Sequence, residues 1–237
     1  MKNLIIFSFG LLVFSSCSET HQEAETENIN SDVTETVVDT VQQIVADTLV
    51  EENNSFEFFD DYCAISTKKE LLEKFDKKDL TDQSVWYAEG TMEKKSTLLV
   101  DPNTKYAILY VWSDENPDKV AFIEANFYLG DSTTQNNKGL TTKDGLNIGM
   151  SINELAEWNG NPLKFLGFGW DYSGGVMADS TDRFLTSQYQ VNLGFDDFND
   201  EFMELLGDVT LNSDMDIVKK ADIYVNQLTF YPSKSDE

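Results

Sequence analysis

The groups able to attack a bond, move a proton or hold a metal are few in this chain. Its only histidine is His21, inside an acidic stretch near the N-terminus. Ser–His–Asp and Cys–His sites both need an imidazole in the folded part, so neither is expected, and histidine-ligated zinc goes with them. Cys63 is the only cysteine in the globular stretch, where a buried, inert thiol is expected. Carboxylates are abundant. Asp196, Asp197, Asn199, Asp200 and Glu201 open a helical stretch, where negative charge suits a helix N-terminus. Their spacing is not that of a calcium loop with its central glycine. Asp208, Asp214 and Asp216 follow in a loop. Paired carboxylates would serve glycoside hydrolysis, but no pair here is singled out by spacing. No glycine-rich loop leading into Lys-Ser/Thr offers a phosphate cradle. The net charge of -26 disfavours nucleic acid as a partner. The expectation is a protein that is not an enzyme, without metal or cofactor.

What is left to act is aromatic. Trp112, Trp158, Phe168, Trp170 and Tyr172 are the candidate binding residues, because aromatics dominate interface anchors. Core packing competes for each of them. Four of the five fall in or beside Gly145–Gly175, the stretch with the clearest local signals. There Ser151 and Glu154 form a capping box, and Ile152, Leu155 and Ala156 make an apolar helical stripe. Asn159-Gly160 and Pro162 end the helix. Leu163 to Tyr172 then reads as one strand, with Leu166, Phe168, Trp170 and Tyr172 on one face. Phe165, Gly167, Gly169 and Asp171 occupy the other, where the two glycines make room for the helix to pack or for a ligand to lie against bare backbone.

The N-terminus carries Lys2, an apolar run from Leu4 to Phe14, and small Ser15-Ser16 before Cys17. That run is about 11 residues against the ~20 of a membrane span, so residues 1–16 are expected to be a signal peptide. Ser15-Ser16-Cys17 resembles the lipobox of bacterial lipoproteins, which implies lipidation of Cys17 and anchoring to the outer membrane of a Gram-negative cell, on its periplasmic or surface face. Several acyl chains on one residue suffice for this, at ~0.8 kcal/mol per buried CH₂. Residues 17–55 then read as an acidic, disordered tether, with no Lys or Arg after Cys17 until Lys68. Val37, Val38, Val41, Ile44, Val45 and Leu49 recur within it at a spacing compatible with a transient helix.

From Phe56 the chain turns aromatic-rich and reads as α+β, in two units at 56–143 and 144–237. Thr67 and Glu70 cap a helix over Lys68–Lys77. Strands are expected over 84–90, 96–100, 105–112 and 119–128, with Asp101-Pro-Asn-Thr104 as a hairpin turn. The third is apolar on both faces, which fits a central covered strand. Residues 131–143 read as a polar loop. Gln188–Phe195 alternates cleanly, Phe198–Leu206 reads as a helix stopped by Gly207, and Ile223–Tyr231 is expected to close the sheet. Thr67-Lys-Lys-Glu70-Leu71 aligns with Ser151-Ile-Asn-Glu154-Leu155, which suggests a tandem repeat of a helix-plus-antiparallel-sheet unit.

The motif Gly149-Met150-Ser151-x-x-Glu154-Leu155, with Gly160, Pro162 and Leu163 after it, resembles the opening of the small outer-membrane assembly lipoproteins. Their fold is similar to that of the β-lactamase inhibitory protein, two such units in tandem. Asn159 stands where those proteins usually carry an apolar residue. The resemblance implies an envelope module that binds other proteins through an aromatic sheet face, and it implies no catalytic residue. A surface lipoprotein binding glycans on Trp and Tyr platforms is the alternative, and a carboxylate hydrolase the third reading.

Overall fold

The computed structural model describes residues 56–128, 137–170 and 172–232. The expected signal peptide, Cys17 and the expected tether lie outside the described residues, as does the first part of the 131–143 loop. The described residues belong to one compact unit of mixed α and β structure, mostly antiparallel sheet.

The expected helix starts are observed. Thr67 Oγ1 accepts from the Glu70 N–H, and Glu70 Oε2 accepts from the N–H groups of Ser66 and Thr67, at 2.8 and 3.2 Å. This opens α2 (Lys68–Lys74), preceded by a short α1 (Phe59–Cys63) that the spacing did not announce. α2 stops short of Lys77 because Phe75 turns extended and packs its ring 4.9 Å from Phe56. Four strands follow: β1 (Leu80–Tyr87), β2 (Met92–Val100), β3 (Ala107–Trp112) and β4 (Val120–Asn126). The first hairpin begins and turns earlier than expected, because Ala88, Glu89 and Gly90 all take left-handed backbone conformations. Asp101 holds the second turn, accepting from the Asn103 N–H at 2.8 Å and from the Tyr62 hydroxyl at 2.7 Å.

In the second half, Ser151 and Glu154 cap α3 (Ile152–Asn159), and Gly160 ends it at φ +81. The strand expected over 163–172 is only β5 (Lys164–Leu166). Gly169 is left-handed and the Trp170 indole N–H turns back to donate to the Gly167 carbonyl, so the chain leaves the sheet. The aromatics of that stretch therefore do not share a face. Neither the helix nor a ligand takes the room at Gly167. A Cβ there would meet the Gly207 carbonyl at 2.6 Å, because Gly167 and Phe168 pair with the 205–209 backbone. The helix expected at 198–206 is a 3₁₀ segment, Asp200–Leu205, kinked at Phe202.

The remaining elements are β6 (Val176–Met177), β7 (Tyr189–Phe195), β8 (Thr210–Asn212), α4 (Asp216–Lys220) and β9 (Ile223–Phe230). Two sheets result, one of order β1-β2-β3-β4-β9-β7 and one of order β6-β5-β8. β9 thus lies inside the larger sheet, between β4 and β7, rather than closing it. That sheet draws four strands from the first half and two from the second; the smaller sheet comes wholly from the second.

One sheet face carries Ile108, Tyr110, Trp112, Ile123, Leu228, Val191 and Leu193 into the main core, beneath α1, α2 and α3. The Tyr110 hydroxyl donates to the Tyr62 carbonyl of α1 across this interface. The opposite face carries Leu109, Val111, Phe122, Glu124 and Thr229. Its cover is local. Met92–Lys95 have no β3 partner, so the outer half of the β1–β2 hairpin overhangs the sheet and brings Tyr87 onto Phe122, ring centroids 5.5 Å apart.

Candidate functional site

The larger sheet ends at β7, which pairs along its length with β9 on one side. β7 is YQVNLGF, with no charge and no proline, the usual devices that protect an edge. Its inner side is fixed by β9, to which the Gln188 carbonyl turns to accept from the Tyr231 N–H. Among the described residues its outer side is paired at one end, where the Leu193 N–H donates to the Gly174 carbonyl at 2.8 Å and Gly175 bridges Asn192. Gly174 is required there: a Cβ would overlap the Leu193 carbonyl. The two-residue alternation that aims Leu193 outward aims the Val191 N–H and the Tyr189 carbonyl outward as well. The Tyr189 N–H is satisfied by Ser187 Oγ at 3.0 Å.

Beyond Gly175, β6 pairs with β5 and diverges from β7. The divergence opens a groove of about 450 Å³. Val176 and Ala178 form one wall, Gln188 to Val191 the other, with Phe184 and Tyr231 completing it. No Lys, Arg, Asp or Glu lines it, in a chain of net charge -26. Charge stands just outside: the Tyr189 phenol is held well above its usual range by burial and then by Asp60 and Asp144 around it. An uncharged slot beside an edge strand can take an extended segment, with ladder hydrogen bonds for affinity and small side-chain pockets for choice.

The five aromatic candidates are dispersed by the fold. Trp112 is buried, stacked 6.2 Å from Tyr110 with its N–H donating to Thr97 Oγ1. Phe168 is buried between Phe165 and Phe195. Neither presents a surface, because both point from their backbones into the main core. Trp158 is half-buried and clamped: its N–H donates to the Asp144 carbonyl, the Arg183 guanidinium lies 4.4 Å over its ring, and Phe184 packs at 5.1 Å. Through Phe184 it backs the groove without lining it. Only Trp170 and Tyr172 come together at the surface, 5.3 Å apart and at 72°, with Tyr172 65% exposed.

The groove residues were missed because alternation identifies β7 as a strand but does not say that it is an edge. Its lack of charge was the one available signal. The 200–205 segment is capped by the neutral Asn199, whose Oδ1 accepts from the Glu201 N–H at 2.8 Å, with Asp200 and Glu201 in its first turn. The Tyr224 hydroxyl donates to Asp196. Among the described residues no cluster of three or more His, Cys, Asp or Glu side chains is disposed to hold a metal. Among them, too, no helix is long and apolar enough to cross a membrane.

No known family model, curated protein or solved structure matches this chain.

Proposed function

We propose that this protein is a lipid-anchored module of the Gram-negative outer membrane that binds a partner protein by adding an extended segment to the edge of β7. The uncharged groove along β7, the edge strand of the larger sheet, carries this reading. Cys17 supplies the anchor and residues 18–55 the reach. Kinship with the small outer-membrane assembly lipoproteins, and through them a tandem plan like that of the β-lactamase inhibitory protein, rests on the motif at 149–163. A protein ligand is favoured over a glycan because the half-buried Trp170 and exposed Tyr172 rings stand at 72° and offer no flat platform. The role is binding rather than catalysis.

The test is a photoreactive amino acid at Gln190 in the full-length chain, illuminated in intact envelopes, with one at exposed Glu157 as control. An adduct with protein from position 190 is expected, lost when Ala178→Trp fills the groove. Adducts that survive Ala178→Trp, or glycan binding with no protein adduct, overturn the proposal. Labelled palmitate should appear on the chain and vanish in Cys17→Ser; its absence from the wild type removes the anchoring part.

A further inference from the structure

The outer arm of the β1–β2 hairpin is held to the sheet by side chains. β2 parts from β3 at Ser96, which pairs with Val111. Beyond that point residues 84–87 pair with residues 92–95, so the arm carries its own ladder, and among the described residues no other strand joins it. Tyr87 reaches the sheet, its ring 5.5 Å from Phe122 and its hydroxyl donating to Glu124 Oε2 at 3.0 Å. Lys94 pairs with the exposed Asp114 in the turn after β3, a surface ion pair of small worth.

The polar anchor of the arm is therefore a buried acid, Glu124, at 7% exposure. Neutral groups face it: Tyr87 from the arm, Leu109 from β3, Gln227 and Thr229 from β9, and Tyr231 after β9. Lys94, on the same face of the arm as Tyr87, is turned to Asp114 instead. Tyr87 and Gln227 serve the protonated carboxyl adequately. An ionised carboxylate offers about four acceptor positions to those two neutral donors, at a depth where charge is costly. Swinging the arm outward about Gln83 and Ser96 would admit water to it without breaking a pairing between the arm's own strands. Burial accordingly raises the Glu124 carboxyl above its ordinary range.

We infer that the outer β1–β2 arm is a proton-controlled flap, shut on β4 while Glu124 is neutral and released when Glu124 ionises. The shut state holds the proton more tightly, so the ratio of open to shut rises with pH, tenfold for each unit separating the two states' carboxyls. The flap stands apart from the β7 groove and does not rest on the reading given to it.

The full-length protein is followed by NMR from pH 5 to pH 9. The NOE between the Tyr87 and Phe122 rings is expected to weaken several-fold as pH rises. Contacts inside the arm, between Val85 and Lys94, and those between β7 and β9 should stay constant. Glu124→Gln keeps an acceptor for Tyr87 and has no proton to lose, so it should hold the ring contact at every pH. If that variant fails to fold, the carbon shift of the Glu124 carboxyl in the wild type serves, and should titrate with the midpoint of the NOE loss. A ring NOE unchanged from pH 5 to pH 9, an equal loss in Glu124→Gln, mismatched midpoints, or loss of the β7–β9 contacts alongside would sink the inference.

Discussion

The Tyr87 hydroxyl on β1 donates to the Glu124 carboxyl on β4 at 3.0 Å, although β2 and β3 lie between their strands. In a flat sheet three strand spacings alone would hold them about 14 Å apart. The bond therefore records how far the outer hairpin folds back over the sheet, and it joins the buried Glu124 to a neutral partner. Tyr87→Phe removes the donor while keeping the ring on Phe122. A loss of about 1 to 2 kcal/mol in urea unfolding is expected, the usual cost of leaving a buried acceptor short. No change would mean that the hairpin is held by ring packing alone.

Burial raises the Glu124 carboxyl above its ordinary 4.5, against the opposing pull of Tyr87 and Gln227. The folded state thus holds this proton more tightly than the unfolded chain does. The associated stability is full below the unfolded value and is lost as pH rises through the folded one. Glu124→Gln has no proton to lose. The urea midpoint of the variant should gain on the wild type between pH 5 and pH 9, and parallel profiles would contradict the shift.

Gly174 packs against the Leu193 carbonyl with φ +68. Gly174→Ala adds a methyl to a backbone contact and strains φ, so a loss of about 3 kcal/mol is expected by thermal unfolding. Gly160→Ala, where φ is +81 but the space beyond Cβ is open, tests strain alone and should cost about 1 kcal/mol. Equal losses at the two positions would show that the clash with Leu193 is relieved.

Ser151 Oγ accepts from the Glu154 N–H at 3.3 Å, and Glu154 Oε2 returns a bond to the Ser151 N–H at 2.8 Å. Ser151→Ala should lower stability by about 1 kcal/mol and Ser151→Asp should restore most of it. Chemical denaturation of the three proteins checks this, and an equal deficit in both variants would point to a role outside capping.

Cys63 is half-buried, and its thiol is pushed well above the usual range, by burial first and then by Asp60 and Asp61. Thiolate is scarce at neutral pH, so iodoacetamide should react with the folded protein at least tenfold more slowly than with the urea-unfolded chain. Comparable rates would show the thiol to be open.

The sequence by itself determined what depends on neighbours a few residues apart. Both capping boxes, the left-handed stop at Gly160, the Asp101 turn and the alternation of β7 follow from short-range hydrogen bonding and side-chain periodicity, and all are observed. The absence of a histidine from the globular stretch is equally local information. Only the tertiary structure decided that Gly167 is filled by the 205–209 backbone, which cut the expected ten-residue strand to three. It alone set β9 inside the sheet and β7 at its edge, and it alone placed Trp112 and Phe168 in the core. The same holds for Glu124, which in sequence is one more acid in an acidic chain. Strand order and burial depend on which distant segments meet, and the two-residue period of a strand is the same at a sheet's edge as at its centre.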